Sequence, residues 1–361
     1  MTAVAPSPSA TTEEYEDTLR RLSHASVHRS FDAFKDIPWD DPDFAVDPTD
    51  ERWILPAGID PLGGHPWYLG LPREKQIAIG LWRQANIMKV GLQFENILIR
   101  GIMQYVFKSQ NGAAEFRYLT HEATEECHHT QMFQQGVNRI GADVPGMPRW
   151  IRRLSPIIPL AAGPFPVAFF IGVLAGEEPI DHTQKQVLRN SDTLPPVLSR
   201  IMEIHVAEEA RHISFAHTYV ARNAPRMSRN ESFLVSLAFP VIMRVLCDAI
   251  LKPTKEFRET FDIPDEVVRE LYWDSPESQR FLADLHAGRI THDGCPVTAG
   301  HMANAKKLAR QGDRYILGKP SQTQKIDAAM GSVLAHKAAV DARGTGWGYR
   351  EDVDTRVWCL T

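Results

Sequence analysis

Hydrophobic residues recur at steps of three and four along most of the chain, which is the period of an amphipathic α-helix. Between residues 72 and 108 these steps form one apolar face that carries a single carboxylate, Glu95. The same pattern predicts further helices at about 14–34, 113–139, 165–188, 195–223, 230–251, 264–285 and 322–343. No convincing run has the period of two that is typical of a strand, and no repeat of fixed length is found. The sequence therefore predicts an all-α fold.

The segments outside these helices have a different composition. Residues 36–72 are rich in Pro, Asp, Gly and Trp, which is typical of an ordered loop. We expect a loose tail at 1–12, a loop with a short helix at 287–321, and an irregular segment at 346–361. Everything from 13 to 345 is predicted to form a single domain.

One uncharged run, from Leu154 to Gly176, is long enough to cross a membrane. Four prolines fall in its first half, and proline interrupts the continuous helix that a span needs. The remaining apolar residues lead directly into Glu177 and Glu178. We therefore predict a buried helix here and no membrane as a partner.

The charge balance narrows the partners further. The chain has 40 Lys and Arg against 45 Asp and Glu, a net charge of −5, and no basic stripe. This argues against nucleic acid and favours a small-molecule substrate. The four cysteines form no CxxC motif, and the amino-terminal residues show no apolar signal segment. We expect a cytoplasmic protein.

Four of the long predicted helices each place a carboxylate within an apolar stripe, and two of them add histidines at helical spacing. The candidates are Glu95, Glu126, His129, Glu178, His205, Glu209 and His212. A buried carboxylate is costly unless it is paired, protonated or bound to metal. A single one is usually a paired core residue, but four on inward faces require a counter-charge.

The second of these helices can be read in two registers. Glu125 and His128 form a Glu-x-x-His motif one residue before that of Glu126 and His129. We favour Glu126 and His129 as ligands because more apolar side chains share their face of the helix.

Other residues near the candidates are alternatives to the ligands or supports for them. The helical pattern leaves Glu177 and Glu178 as alternatives. His182 lies one turn beyond Glu178 and is a candidate partner for a metal ligand. Glu208 and Arg211 lie beside the stripe of the next helix, where they can pair at i,i+3 and support the ligands from outside.

A Glu-x-x-His motif on each of two helices, with a Glu from each of two others, is the ligand pattern of carboxylate-bridged two-metal bundles. Four glutamates offset two divalent cations, and oxygen with imidazole ligands suits iron or manganese. The sequence therefore predicts two iron ions, with manganese as an alternative, in a core over about 72–251.

From about residue 75 to 250 the chain resembles the p-aminobenzoate N-oxygenase family, non-haem di-iron oxygenases of the ferritin-like superfamily. The resemblance rests on FEN at Glu95, EECHHTQMF around His129, GEE at Glu178 and HVAEEARHISFA from His205. It implies a ferritin-like helical bundle with extra N- and C-terminal helices and loops. It also implies that His205 is the family's third histidine ligand, and it favours Glu178 over Glu177 by the interval to His205.

The resemblance implies an enzyme that uses O₂ and an external electron donor to oxidise an arylamine nitrogen of a small-molecule or carrier-tethered substrate. A second hypothesis keeps the di-iron site but oxidises a C–H bond of an acyl or aromatic substrate, and a third is metal storage or redox scavenging. Segments outside the bundle, about 1–70 and 252–361, exceed what storage needs and suit a substrate pocket and a homodimer interface. Lys89 is the nearest cation for a carboxylate substrate, and we expect it at the surface.

Overall fold

The computed structural model describes residues 12–57, 59–189 and 194–271, and two strands further along the chain. The helices are α1 (Thr12–His28), α2 (Pro66–Leu69), α3 (Arg73–Val106), α4 (Ala114–Ile140), α5 (Arg149–Leu154), α6 (Pro166–Leu188), α7 (Pro196–Asn223), α8 (Arg229–Leu251), α9 (Lys255–Phe261) and α10 (Asp265–Leu271). Short 3-10 helices lie at Pro42–Phe44, Glu51–Trp53, Pro61–Gly64, Ile158–Ala162 and Ala224–Arg226. The all-α prediction is confirmed for this helical bundle.

The chain divides into two compact units, residues 1–278 and 279–361, whereas the sequence predicted one domain over 13–345. In the second unit, strand β1 (Lys306–Ala309) pairs antiparallel with β2 (Tyr315–Gly318). The prediction of a loop and a short helix at 287–321 is wrong at these strands. Each strand has four residues, too few for periodicity to separate strand from helix.

Several predicted segments extend beyond the described residues. The helix expected at 264–285 is described only as α10, and the helix expected at 322–343 lies outside the described part, as do the tail at 1–11 and the segment 346–361. The first helix ends at His28 rather than near residue 34, because Asp32 accepts hydrogen bonds from the backbone N–H groups of Phe34 and Lys35 and begins a turn.

Local sequence signals fix the helix ends. Gly141 terminates α4 in the left-handed region, with φ of 74°, which glycine adopts without strain. Ser228 and Glu231 form a reciprocal capping box at the start of α8. Both α6 and α7 have proline in their first turn, where a missing backbone N–H costs nothing.

The four longest helices of the bundle core, α3, α4, α6 and α7, alternate apolar and polar layers along their length. One apolar layer includes Leu81, Met88, Phe133, Val137, Val197 and Ile201. The other includes Leu98, Ile102, Tyr118, Phe170, Phe215 and Tyr219. Because the buried candidate ligands on these helices lie between the two layers in sequence, the bundle encloses them from both ends.

Glycines allow these helices to approach closely. A Cβ on Gly91 of α3 would lie 3.0 Å from the ring of Phe133 on α4. A Cβ on Gly176 of α6 would overlap the ring of Phe94 on α3. The short side chains therefore set the spacing between α3 and its two neighbours, and so the width of the polar layer.

The uncharged run ends in a buried helix, as predicted. Its last part forms the start of α6, which buries Phe169, Phe170 and Val173. The proline-rich first part forms the end of α5 and a 3-10 helix, with Ile157 and Leu160 exposed.

A different segment, Arg229–Phe261, is the one stretch of the described chain that is long and apolar enough to span a membrane by length and composition. Only 12% of its most apolar window is buried in the structure. Phe233 and Leu237 of α8 are 62% and 57% exposed.

Replacing Gly80 by alanine tests the contact between α3 and the loop before it. The new Cβ would overlap the backbone carbonyl oxygen of Trp53, so we expect Gly80→Ala to destabilise the protein by about 1–3 kcal/mol and to lower Tm. Gly172→Ala in α6 is the matched control, because nothing lies within 4 Å of its Cβ and helix propensity favours alanine by up to ~1 kcal/mol. Equal Tm shifts in the two variants would contradict the close contact between Gly80 and the backbone of Trp53.

Candidate metal centre

Six of the seven predicted ligands lie together in the polar layer of the bundle, all of them buried. One group consists of Glu95, His129, His205 and Glu209, and the other of Glu126, Glu209 and His212. Within each group the ligand atoms lie within 4.8 Å of one another. Since Glu209 belongs to both groups, the arrangement suits two adjacent metal ions that share a carboxylate.

The distances connect the two groups at a second point. The Oε2 atom of Glu126 lies 3.2 Å from Nδ1 of His129, and its Oε1 atom lies 2.9 Å from Nδ1 of His212. On the other side, Nε2 of His205 lies 3.2 Å from Glu95 and 3.4 Å from Glu209. Glu126 therefore has one oxygen toward each group, which is the position of a bridging carboxylate.

The inward orientation expected for Glu178 is wrong. Glu178 is exposed, and its carboxylate lies 2.5 Å from Nε2 of the exposed His217. Glu177 is 4% exposed and faces the polar layer instead. The physical reason is that Glu177 lies on the inward face of α6. It follows Val173 by one turn and precedes Asp181 by another, and all three are buried.

The environment of Glu177 is one in which a bound cation would stabilise the carboxylate. Neither of its carboxylate oxygens has a hydrogen-bond partner among the described residues. Burial and the nearby carboxylates of Glu209 and Glu126 raise its pKa well above the usual value. A metal ion at this position would remove both costs.

The expectation that His182 supports the ligands is also wrong. This ring is exposed on α6, one turn from Glu178, and contacts Gln186 at 2.9 Å. The expectation for His182 fails for the same reason as that for Glu178, because both residues lie on the outer face of α6.

Glu208 and Arg211, by contrast, do touch the ligands or their partners. The Oε2 atom of Glu208 accepts a hydrogen bond of 2.9 Å from Nε2 of His129. Arg211 donates to Glu208 at 3.3 Å and to Glu125 at 2.9 Å. Glu125 in turn accepts from Nε2 of His212 at 2.8 Å. One guanidinium therefore ties together the carboxylates that hold two histidines.

These contacts fix which nitrogen of each histidine faces the centre. Nε2 of His129 and of His212 faces a supporting carboxylate, whereas Nδ1 of each ring faces Glu126. With the proton held on Nε2, Nδ1 of each ring would be the atom that binds a metal. His205 is reversed, because its Nδ1 donates to Oε1 of Gln184 at 2.7 Å and its Nε2 points inward. The sequence contained no signal for Gln184, and it placed Glu125 outside the ligand set because more apolar side chains share the helix face of Glu126; Glu125 instead supports His212 from outside.

The charge count requires cations. Seven glutamates are buried in this layer: Glu95, Glu122, Glu125, Glu126, Glu177, Glu208 and Glu209. Among the described residues of the layer, Arg211 is the one permanent cation, which leaves an excess of six negative charges when all seven are ionised. Two divalent metals would offset four of them. Burial, above all, raises the pKa of Glu122 to about 8, so this group stays neutral at pH 7.

The unpaired atoms also fit metal ligands. Oε2 of Glu95, both carboxylate oxygens of Glu177 and Oε2 of Glu209 have no hydrogen-bond partner in the described part of the chain. An unpaired buried carboxylate oxygen is expensive, and a bound cation satisfies it. The donor set contains oxygen and imidazole but no thiol, because Cys127 is exposed on α4. This chemistry suits iron or manganese.

Lys89 does not face the centre. Its Nζ donates to Oε1 of Gln134 on α4 at 2.7 Å, and the side chain is partly exposed. On the open side of the centre, Glu95, Glu177 and His205 line a small apolar chamber of about 40 Å³ together with Phe94 and Phe133.

Comparison with known proteins agrees with this geometry. The family described as P-aminobenzoate N-oxygenase AurF matches residues 12–291. Uncharacterized proteins of Mycobacterium bovis and Mycobacterium tuberculosis are each 59% identical to the chain over 282 residues, which is 78% of this chain and 83% of each relative.

Glu177→Gln should separate the two adjacent glutamates of α6. We expect Glu177→Gln to reduce bound iron or manganese from about two ions per chain toward one, since a neutral amide is a poor substitute for a carboxylate ligand. Glu178→Gln, the matched control, should leave two. Metal analysis after anaerobic reconstitution measures both variants. Loss of metal in Glu178→Gln alone would contradict the assignment.

Metal binding should release protons. Burial opposes protonation of His129 and His212, but contacts with Glu126, Glu208 and Glu125 outweigh it and raise the pKa of both rings well above 6.5. The raised pKa favours the protonated rings, whereas a metal ligand must be neutral. We expect net proton release on Mn²⁺ binding, and an affinity that falls as pH falls. Calorimetric titration in buffers of different ionisation enthalpy measures this, and no release at pH 7 would refute it.

Proposed function

The chain belongs to the p-aminobenzoate N-oxygenase family, and we propose that it is an O₂-dependent di-iron oxygenase that oxidises the nitrogen of an arylamine. The observation that carries the proposal is the donor set of the polar layer: three glutamates and three histidines lie in two adjoining groups, with the buried, unpaired carboxylate of Glu177 beside them at an apolar chamber. Two bound iron ions would supply the binding and reduction of O₂. The residues that would hold the two ions are Glu95, Glu126, His129, Glu177, His205, Glu209 and His212.

The stoichiometry of N-oxygenation determines which electrons and protons the protein must be supplied with. Conversion of an arylamine and O₂ to a hydroxylamine and water consumes two electrons and two protons, and forms one N–O bond as the O–O bond breaks. The electrons require an external donor, which stays a proposal together with the homodimer and the cytoplasmic location. In the same layer Glu122 is neutral at pH 7 and therefore carries a proton near the centre.

The chain's own residues would keep the centre rigid and dry. Glu208, Glu125 and Gln184 orient the three histidines through their outer nitrogens. Phe94 and Phe133 form apolar walls of the chamber, which limit the access of water to the reacting nitrogen. Arg211 holds Glu125 and Glu208 in place, so the histidine orientations depend on each other.

Oxidation with isotopically labelled O₂ tests the proposal. The iron-loaded, chemically reduced protein is mixed with aniline and ¹⁸O₂, and products are analysed by mass spectrometry. We expect phenylhydroxylamine or nitrosobenzene that contains ¹⁸O. Glu209→Ala should abolish the product, because it removes the carboxylate common to both groups of ligands. Glu178→Gln is the control and should retain it.

Other outcomes favour the other hypotheses. Ring hydroxylation of the same substrate, or oxidation of an acyl chain with no N-oxygenation, would move the function to C–H bonds. Oxidation and retention of many more than two irons per chain without any organic product would indicate storage. Either outcome contradicts arylamine N-oxygenation.

A further inference from the structure

Exposed apolar side chains are concentrated in two segments of the bundle. Eleven of the eighteen large hydrophobic residues that the described chain exposes lie within residues 150–165 and 233–241. The first segment runs from α5 through the 3-10 helix after it to the residue before α6, and the second lies in α8. We call the surface that these two segments form the apolar face. A contiguous exposed apolar surface usually marks an interaction site.

Two grooves show that the segments lie side by side. One groove, of about 380 Å³, is lined by Trp150 of α5 together with Val241 of α8. The other, of about 410 Å³, is lined by Phe165 together with Leu234 of α8. Ala161 of the 3-10 helix lines both grooves. The two segments therefore form one surface.

The exposed residues of α8 form a stripe along one side of the helix. Phe233, Leu234, Leu237 and Val241 fall within an arc of about 100°, and each of them is at least 57% exposed. On the inner side of the helix, Ile250 is buried with residues of α3 and α5. The helix is therefore attached to the bundle on one side and presents apolar side chains on the other.

Arginines border the apolar face, although the chain as a whole is acidic. Residues 144–176 contain no Asp or Glu, and α8 contains two, of which Glu231 caps the helix and Asp248 lies 3.1 Å from Arg244. The exposed arginines of these segments and of the residues just before α8 are Arg149, Arg152, Arg153, Arg226 and Arg229. None of these five forms an ion pair with a described residue, and two of them donate to neutral oxygens, of Met147 and Asn223.

We propose that the apolar face binds the surface of an anionic lipid bilayer. The exposed apolar side chains would enter the edge of the acyl layer, Trp150 would lie at the interface that indole rings prefer, and the arginines would contact lipid phosphates. The protein would lie on the membrane and not span it, because the inner side of α8 stays packed on the bundle. This proposal replaces the expectation of no membrane partner, which weighed only a membrane span.

The charge of the apolar face favours a bilayer over other parts of the protein. Residues 279–361 contain twelve Lys and Arg against eight Asp and Glu, so their net charge has the same sign as that of the arginines. A second copy bound through the same face would bring a second set of five arginines to the interface. Anionic headgroups, by contrast, supply the opposite charge and attract basic residues near the membrane.

Vesicle flotation of the full-length protein tests the proposal and needs neither metal nor turnover. Vesicles of equimolar phosphatidylcholine and phosphatidylglycerol are compared with vesicles of phosphatidylcholine alone. We expect the anionic vesicles to be bound at least about tenfold tighter, and less tightly as salt is added. Arg149→Gln combined with Arg153→Gln should weaken this binding about 10- to 30-fold, and Leu237→Ser about 3- to 10-fold.

Matched substitutions outside the apolar face are the controls. Phe34→Ser changes a side chain that is 60% exposed, and Arg29→Gln combined with Lys35→Gln removes two exposed charges. These residues lie at a loop whose hydrogen bonds are to α4 and α7. The control variants should bind anionic vesicles as the parent does, with Tm measured for every variant.

Three results would overturn the proposal: no vesicle binding, equal binding of neutral and anionic vesicles, or no effect of the substitutions in the apolar face. Analytical ultracentrifugation identifies the other occupant. A dimer that Leu237→Ser dissociates, without vesicle binding by the parent, would assign the apolar face to a second copy instead.

Discussion

The burial of seven glutamates in one layer of a helical bundle is the constraint on which the rest of the structure depends. In an apolar interior each ionised carboxylate costs several kcal/mol unless a cation or donors compensate it. Arg211 offsets one of the seven charges, and two divalent metal ions would offset four more. The same carboxylates raise the pKa of His129 and His212. Metal ions and protons therefore compete for the same group of carboxylates and histidines.

The fold is arranged around that layer. Apolar layers close it at both ends, and glycines such as Gly91 and Gly176 bring the helices close enough for side chains from four of them to meet. One side of the layer borders the chamber of about 40 Å³. Because Gln184 lines this chamber and also orients His205, the chamber wall also supports the centre.

The sequence predicted α3, α4, α6, α7 and α8 to within a residue or two, because long amphipathic periods with Pro and Gly near their ends leave little choice. The six-residue α5 was not predicted, because it is too short for a clear period. It could not decide between Glu177 and Glu178. Adjacent residues differ by about 100° around a helix, and only packing against α3 and α7 shows which faces inward. The same limit applies to Gln184, since its hydrogen bond to His205 depends on how α6 is rotated relative to α7. The strands β1 and β2 are too short for their pattern of apolar and polar residues to distinguish a strand from a helix.

Crystals of the iron-loaded protein, measured at the iron absorption edge, test the central claim most directly. Two-metal sites hold their ions about 3.5–4 Å apart. The account predicts two anomalous peaks at such a separation in the polar layer, with Glu126 and Glu209 between them and Glu177, not Glu178, in contact with one of them. A single peak, or iron outside this layer, would contradict it.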